Sequence, residues 1–147
     1  MPQPEITVEV LRDPTAEDAT ALASILPHLS SARPPDPAEL RDLASSGTAT
    51  IFVARADGRI VGTLSLARFA VPTGRRAWIE DVVVDPAHRG QGVASQLIGA
   101  ALRLAAETGC RTVDLTSRPS RSEANRLYER LGFARRETNV YRFNLES

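Results

Sequence analysis

Residues 77–117 constrain the fold more tightly than any other stretch of this chain. The run Ala77-Trp-Ile-Glu-Asp-Val-Val-Val84 is apolar and β-branched apart from its two acids, and Asp85-Pro86 stops it, so it reads as a strand. A glycine-rich turn, His88-Arg89-Gly90-Gln91-Gly92, follows. Val93, Leu97, Ile98, Ala101, Leu102 and Ala105 then mark a long helix that closes near Gly109, and residues 111–117 return as a second strand. Two strands of one sheet joined through a helix lie parallel, with a right-handed crossover. The turn between strand and helix is therefore where chemistry is expected.

The rest of the chain surrounds this unit with antiparallel signals. Residues 5–12 alternate like a half-buried strand. Thr15 with Asp18 has the form of a capping box, opening a helix through Ala19, Leu22, Ile25 and Leu26 until Pro27 interferes. Asp36-Pro37 begins a second, shorter helix, with Gly47 as its end, and the Pro-rich piece 31–37 between the helices reads as a loop. Residues 49–56 and 59–67 are β-rich runs joined by Asp57-Gly58, a strong hairpin signal. Arg68 to Arg76 reads as a loop. Beyond the crossover, Ser120 with Glu123 suggests a capping box for a helix through Ala124, Leu127, Tyr128 and Leu131, ended by Gly132. Short strands are expected at 133–136 and 139–145. The resulting order, β α α β β β α β α β β, is a mixed α+β arrangement, and 147 residues suit a single domain over 1–147.

Composition removes several function classes. The 18 basic residues balance 18 acidic ones, so no global field draws the chain to nucleic acid. No apolar run reaches the roughly 18 residues of a membrane span, and the first ten residues lack a targeting pattern, so a soluble, cytoplasmic protein without a membrane partner is expected. A single cysteine, Cys110, and two separated histidines, His28 and His88, predict neither an internal disulfide nor a metal site. Every basic residue other than histidine is arginine. Without lysine, a phosphate loop that depends on Lys and Schiff-base catalysis on a side-chain amine are both impossible.

The turn itself has the features of an anion site. Free N–H groups at a helix N-terminus and the helix dipole both favour phosphate, and glycines let backbone approach it closely. Gly90-x-Gly92-x-x-Ser95, with Asp114 further along, also leaves a dinucleotide-binding reading open, although the turn follows three earlier strands instead of opening the fold. A plain β–α connection is the third reading.

Arg89-x-x-Gly92-x-Ala94 resembles the acyl-CoA signature R/Q-x-x-G-x-G/A of the GNAT superfamily of N-acyltransferases. Farther on, Asn125-x-x-Tyr128-x-x-x-Gly132-Phe133 is similar to a second pattern of the same superfamily, in the right order. The resemblance implies a three-layer fold with a mixed, mostly antiparallel central sheet and helices on both faces. It also implies acetyl-CoA as acyl donor, an unidentified amine as acceptor, no metal, and a monomer or homodimer. By that likeness Arg89, Gly90 and the N–H groups of Gln91, Gly92, Val93, Ala94 and Ser95 would hold the CoA pyrophosphate, and backbone at Val82, Val83 and Val84 would pair with the pantetheine arm. Asn125 and Tyr128, three apart on one helix, could address the same ligand. Tyr128 would protonate the departing thiolate.

Attack by an amine also requires loss of a proton, since an alkylammonium of pKa ~10.4 is almost wholly protonated at neutral pH. Glu80 and Asp81 are the acids in the central strand, and strict strand alternation would let only one of them face a cleft. A carboxylate is a far weaker base than an amine, so a water relay or desolvation would have to assist it. A CoA-binding regulatory module without turnover is the alternative that the same motifs allow.

Overall fold

The computed structural model describes residues 4–146, and these fall into two compact units divided between Leu115 and Thr116. The first unit contains β1 (Ile6–Val10), α1 (Ala16–Ile25), α2 (Pro37–Ser45), β2 (Ala49–Ala56), β3 (Arg59–Val71), β4 (Gly74–Val84), α3 (Val93–Glu107) and β5 (Thr112–Asp114). The second contains α4 (Ser122–Arg130). The five strands lie in sequence order, antiparallel from β1 to β4 and parallel between β4 and β5. This is the mixed α+β sheet with a parallel crossover that residues 77–117 predict.

Local chemistry explains the helix starts. Thr15 accepts from Asp18 N–H and Asp18 accepts from Thr15 N–H, each at 3.1 Å, closing the first capping box. Asp36 and Glu39 close a second one at 2.8 and 3.2 Å, with Pro37 at the first helical position. Each box satisfies donors that a helix N-terminus otherwise leaves free.

One face of the sheet buries Ile51, Val53 and Val83 against Leu22 and Ile25 of α1 and Leu40 of α2. Phe52 and Ala54 alternate with these and point to the opposite face. There α3 lies so near that Val93 Cγ1 is 3.0 Å from where a Cβ on Gly62 would stand. Arg55 ties the first layer together: its guanidinium donates to Asp18 at 2.8 and 3.2 Å, to Glu9 of β1 and to the carbonyl of Gly58 at the hairpin turn.

The structure departs from the sequence expectations in four places. Arg68 to Arg76 is not a loop: β3 and β4 stay paired through Val71↔Gly74, and Pro72-Thr73 makes the turn. A ladder is held by backbone groups, so it persists where exposed side chains show no apolar alternation. Ser120 does not cap α4; Arg121 occupies that position without a side-chain hydrogen bond, and Asn125 Nδ2 instead donates to the Arg118 carbonyl at 3.0 Å. The parallel strand is three residues long, Thr112–Asp114, and not the full run 111–117. Residues 133–136 and 139–145 form no strand, because no backbone ladder pairs with them.

Candidate active site

The interest of β4 lies in its irregularity. Thr63 pairs with Val83 but Ser65 pairs with Glu80, so Asp81 and Val82 together oppose Leu64. One extra residue in one strand is a β-bulge. Asp81 absorbs it with φ of 54°, in the left-handed region that Asp tolerates better than most residues. The bulge breaks the strict alternation expected at this pair. Glu80, opposite Ser65, and Val83, opposite Thr63, consequently share one face. Glu80 is exposed there, and the indole N–H of Trp78, two residues back, donates to its Oε1 at 2.6 Å.

On its other edge β4 pairs with β5 only from Arg76↔Thr112 to Trp78↔Asp114. From Ile79 onward that edge carries no ladder among the described residues, so those backbone N–H and C=O groups between Val82 and Val84 that point away from β3 are open to an extended ligand. The chain then runs through Asp85, a single 3-10 turn at Pro86–His88, and the glycine turn into α3. Gly90 and Gly92 both have φ of 77°, which would strain any residue with a Cβ, and neither has a heavy atom near the place a Cβ would take. Gly92 is the N-cap of α3 and offers no side chain to it. The first N–H groups of this 15-residue helix therefore have no side-chain cap, and the dipole reinforces them. Beside them Gln91 Oε1 is buried and accepts no hydrogen bond from the described residues. Glu80, Asp81, the three valines and Arg89 to Ser95 thus form one continuous stretch of the first unit. Such a stretch can hold an elongated anionic ligand, its extended arm along β4 and its phosphates at the helix.

In the second unit the Tyr-x-x-x-Gly-Phe spacing has a direct physical meaning. Phe133 N–H donates to the Tyr128 carbonyl at 3.0 Å and Gly132 N–H to the Glu129 carbonyl at 3.0 Å, with Gly132 at φ of 101°. This is the Schellman pattern that ends a helix on a left-handed glycine. Its hydrophobic contact is the edge-to-face meeting of the Tyr128 and Phe133 rings, 5.9 Å between centroids at 67°. The motif therefore fixes the last turn of α4 around Tyr128. Tyr128 is only 8% exposed, and burial pushes its phenol above the ordinary value, with nearby Arg121 acting the other way. The hydroxyl stays protonated throughout the physiological range. Asn125, half-buried on the same helix, spends its amide N–H on Arg118.

Sequence reasoning missed Trp78 as the partner of Glu80. The available signal was the i, i+2 spacing, which places both on one strand face. The bulge had no comparable signal.

The profile of the Acetyltransferase (GNAT) family matches residues 18–133. The chain belongs to that family. As a GNAT member it is an enzyme of the N-acetyltransferase class. It is 36% identical over 131 residues to glucosamine 6-phosphate N-acetyltransferase of Trypanosoma brucei brucei, covering 84% of this chain and 87% of that one. It is 29% identical over 115 residues to aminoglycoside N(6')-acetyltransferase type 1 of Salmonella typhimurium, covering 73% and 79%. Among solved structures, an acetyltransferase of Trypanosoma brucei superposes with a TM-score of 0.79 at 31% identity, over 96% of this GNAT chain and all (100%) of the other. An aminoglycoside acetyltransferase from an uncultured soil metagenomic sample, solved with sisomicin, has the same fold at a TM-score of 0.82 and 20% identity, over 96% and 97% of the two chains.

Proposed function

We propose that this GNAT enzyme transfers an acetyl group from acetyl-CoA to a primary amine by direct attack in a ternary complex. The observation that carries the reading is the continuity of an unladdered β4 edge with an α3 N-terminus that has no side-chain cap. The edge suits the amide-bearing pantetheine arm, and the helix start suits the pyrophosphate. Arg89 and the backbone of Gly90 to Ser95 take the phosphates; Val82 to Val84 take the arm.

In the reaction the amine nitrogen forms a bond to the thioester carbonyl carbon, and the carbonyl oxygen becomes an oxyanion. A backbone N–H near Val82 stabilises that charge, an effect that works best when the donor is already in place. Glu80, oriented by Trp78, takes the amine proton through a water, with Asp81 as the second candidate. The carbon–sulfur bond then breaks. Tyr128 gives its proton to the thiolate, a role suited to a phenol that burial keeps neutral. Asn125 assists at the same ligand. Holding both substrates together accounts for much of the acceleration.

Two of the relatives, matched over 84% and 73% of this chain, are named for glucosamine 6-phosphate and for aminoglycosides. An amine carried on a sugar is therefore the acceptor class to test first. Initial rates measured while acetyl-CoA and glucosamine 6-phosphate, or acetyl-CoA and sisomicin, are varied together test the mechanism. Intersecting double-reciprocal lines are expected; parallel lines would indicate an acetylated enzyme and overturn direct attack.

A further inference from the structure

The outer half of β4 carries side chains that the proposed chemistry leaves unused. From Ser65↔Glu80 to Phe69↔Arg76 the β3–β4 ladder runs without a bulge, so Glu80, Trp78 and Arg76 stand on one face, and Ala77 and Ile79, both buried, on the other. Ile51 of β2 also pairs with Ser65, so the Glu80 face is the one that α1 and α2 cover farther along, at Val53 and Val83. Toward the hairpin turn that cover gives out. Arg76 and its partner Phe69 are exposed although the strands are still paired there. β5 adds Asp114, exposed and opposite Trp78 on the same face. Charge is therefore ordered along the strip, with Glu80 and Asp114 on either side of Trp78 at the inner end and Arg76 at the outer end. Among the described residues no carboxylate comes within ion-pair distance of Arg76. Its guanidinium donates to Thr73 Oγ1 at 2.7 Å, a bond that uses one of its five N–H groups.

We propose that this strip binds the acceptor and that Arg76 selects amines that also carry an oxyanion, a carboxylate or a phosphate. The inference rests on Glu80 serving acetyl transfer. The amine lies at the acidic end, where Glu80 takes its proton. The carbon body lies over the indole of Trp78, and the acid group meets the Arg76 fork. Four residues of strand set Glu80 and Arg76 ~13 Å apart along the backbone, and the long side chains at both ends shorten that gap to the length of a sugar ring or a short alkyl chain. An acceptor with a second ammonium in place of the acid would set like charges together at Arg76, which disfavours it. Arg75, the next residue, pairs with Ala70 and lies on the opposite face, so the selection belongs to one position and not to the general charge of the hairpin.

Paired amines that differ in the acid group test it on the full chain: glucosamine against glucosamine 6-phosphate, and hexylamine against 6-aminohexanoate. In the wild type kcat/KM is expected to favour the anionic member of at least one pair by about 10- to 100-fold, the effect of a charge-assisted contact. The pair that responds tells phosphate from carboxylate. Arg76→Gln should bring that ratio close to one, Arg76→Lys should restore part of it, and Arg75→Gln should keep it. Calorimetry of the same amines with CoA bound gives the comparison without turnover. A preference in binding that depends on Arg76, with no acetyl transfer, would uphold this subsite and overturn the acetyl-transfer reading. Ratios near one in both pairs, or no binding of any of the four amines, overturn the proposal. So does a preference that survives Arg76→Gln, and so does one that Arg75→Gln removes equally.

Discussion

The indole N–H of Trp78 meets Oε1 of Glu80 at 2.6 Å, two residues apart on β4 and immediately before the bulge at Asp81. The bond holds one carboxylate oxygen and leaves the other for a water. In the proposed mechanism Trp78 acts on the amine's proton through Glu80.

Trp78→Phe keeps an aromatic ring and removes the donor. A hydrogen bond to a charged group contributes about 1.5–3 kcal/mol when intact, and exposure reduces that here, so kcat should fall by roughly 3- to 10-fold with KM for acetyl-CoA unchanged. The decisive comparison is non-additivity. In a Glu80→Gln background the Trp78 substitution should cost nothing further, and an equal loss in both backgrounds would mean that Trp78 acts independently of Glu80.

Gly92 tests the anion site. A non-glycine residue at φ of 77° costs about 1–2 kcal/mol and displaces the first turn of α3. Gly92→Val should weaken acetyl-CoA binding by at least about 10-fold in calorimetry. Gly58, at φ of 81° in the β2–β3 turn, is the control. Its substitution should lower stability by a similar amount and leave acetyl-CoA affinity alone.

For Tyr128 the expected signature is kinetic. Tyr128→Phe retains the ring that meets Phe133 and loses only the proton, so kcat should fall by about 10²–10⁴, the usual contribution of general acid catalysis. Acetyl-CoA affinity should change little. The working form is the protonated one, and its pKa is raised above the ordinary ~10. The wild type should therefore lose activity through this group only as pH rises beyond that value, and Tyr128→Phe should lack that alkaline limb.

Asp18 carries a prediction about stability. Its carboxyl is held below the ordinary value, chiefly by the hydrogen bond from Arg55. A depressed carboxylate stabilises the fold above its unfolded pKa of ~3.9, and the contribution is lost as pH falls through the lower folded value. Asp18→Asn should cost about 2 kcal/mol at pH 7, less than a fully buried pair would. Denaturant midpoints of the two proteins should converge in acid.

Much of this was legible in sequence because local rules and tertiary structure agree. The capping box at Thr15, the helix start at Asp36-Pro37, the Asp57-Gly58 hairpin and the strand–turn–helix–strand unit stand where Thr15, Asp36, Gly58 and Gly92 place them. The Asn125-x-x-Tyr128-x-x-x-Gly132-Phe133 spacing was readable as a pattern, and its cause is the Schellman end of α4. What escaped was set by backbone pairing. The outer part of the β3–β4 hairpin has exposed residues such as Phe69 and Arg76 with no periodic pattern. The bulge at Asp81 depends on how two strands register, which no single residue announces. At Ser120 the spacing of a capping box is present, but the helix starts one residue later, with Arg121 at the cap position and no side-chain hydrogen bond there.

The central claim is acetyl transfer to an amine, and its most direct measurement is release of CoA from acetyl-CoA. A thiol reagent follows it across separate pools of aminosugars, aminoglycosides, polyamines, amino acids and short peptides. The account predicts release above the amine-free background in at least one pool, with the acetylated amine detected by mass spectrometry and the signal lost in Tyr128→Phe. Tight acetyl-CoA binding without release in any pool, and without difference between wild type and Tyr128→Phe, would contradict it.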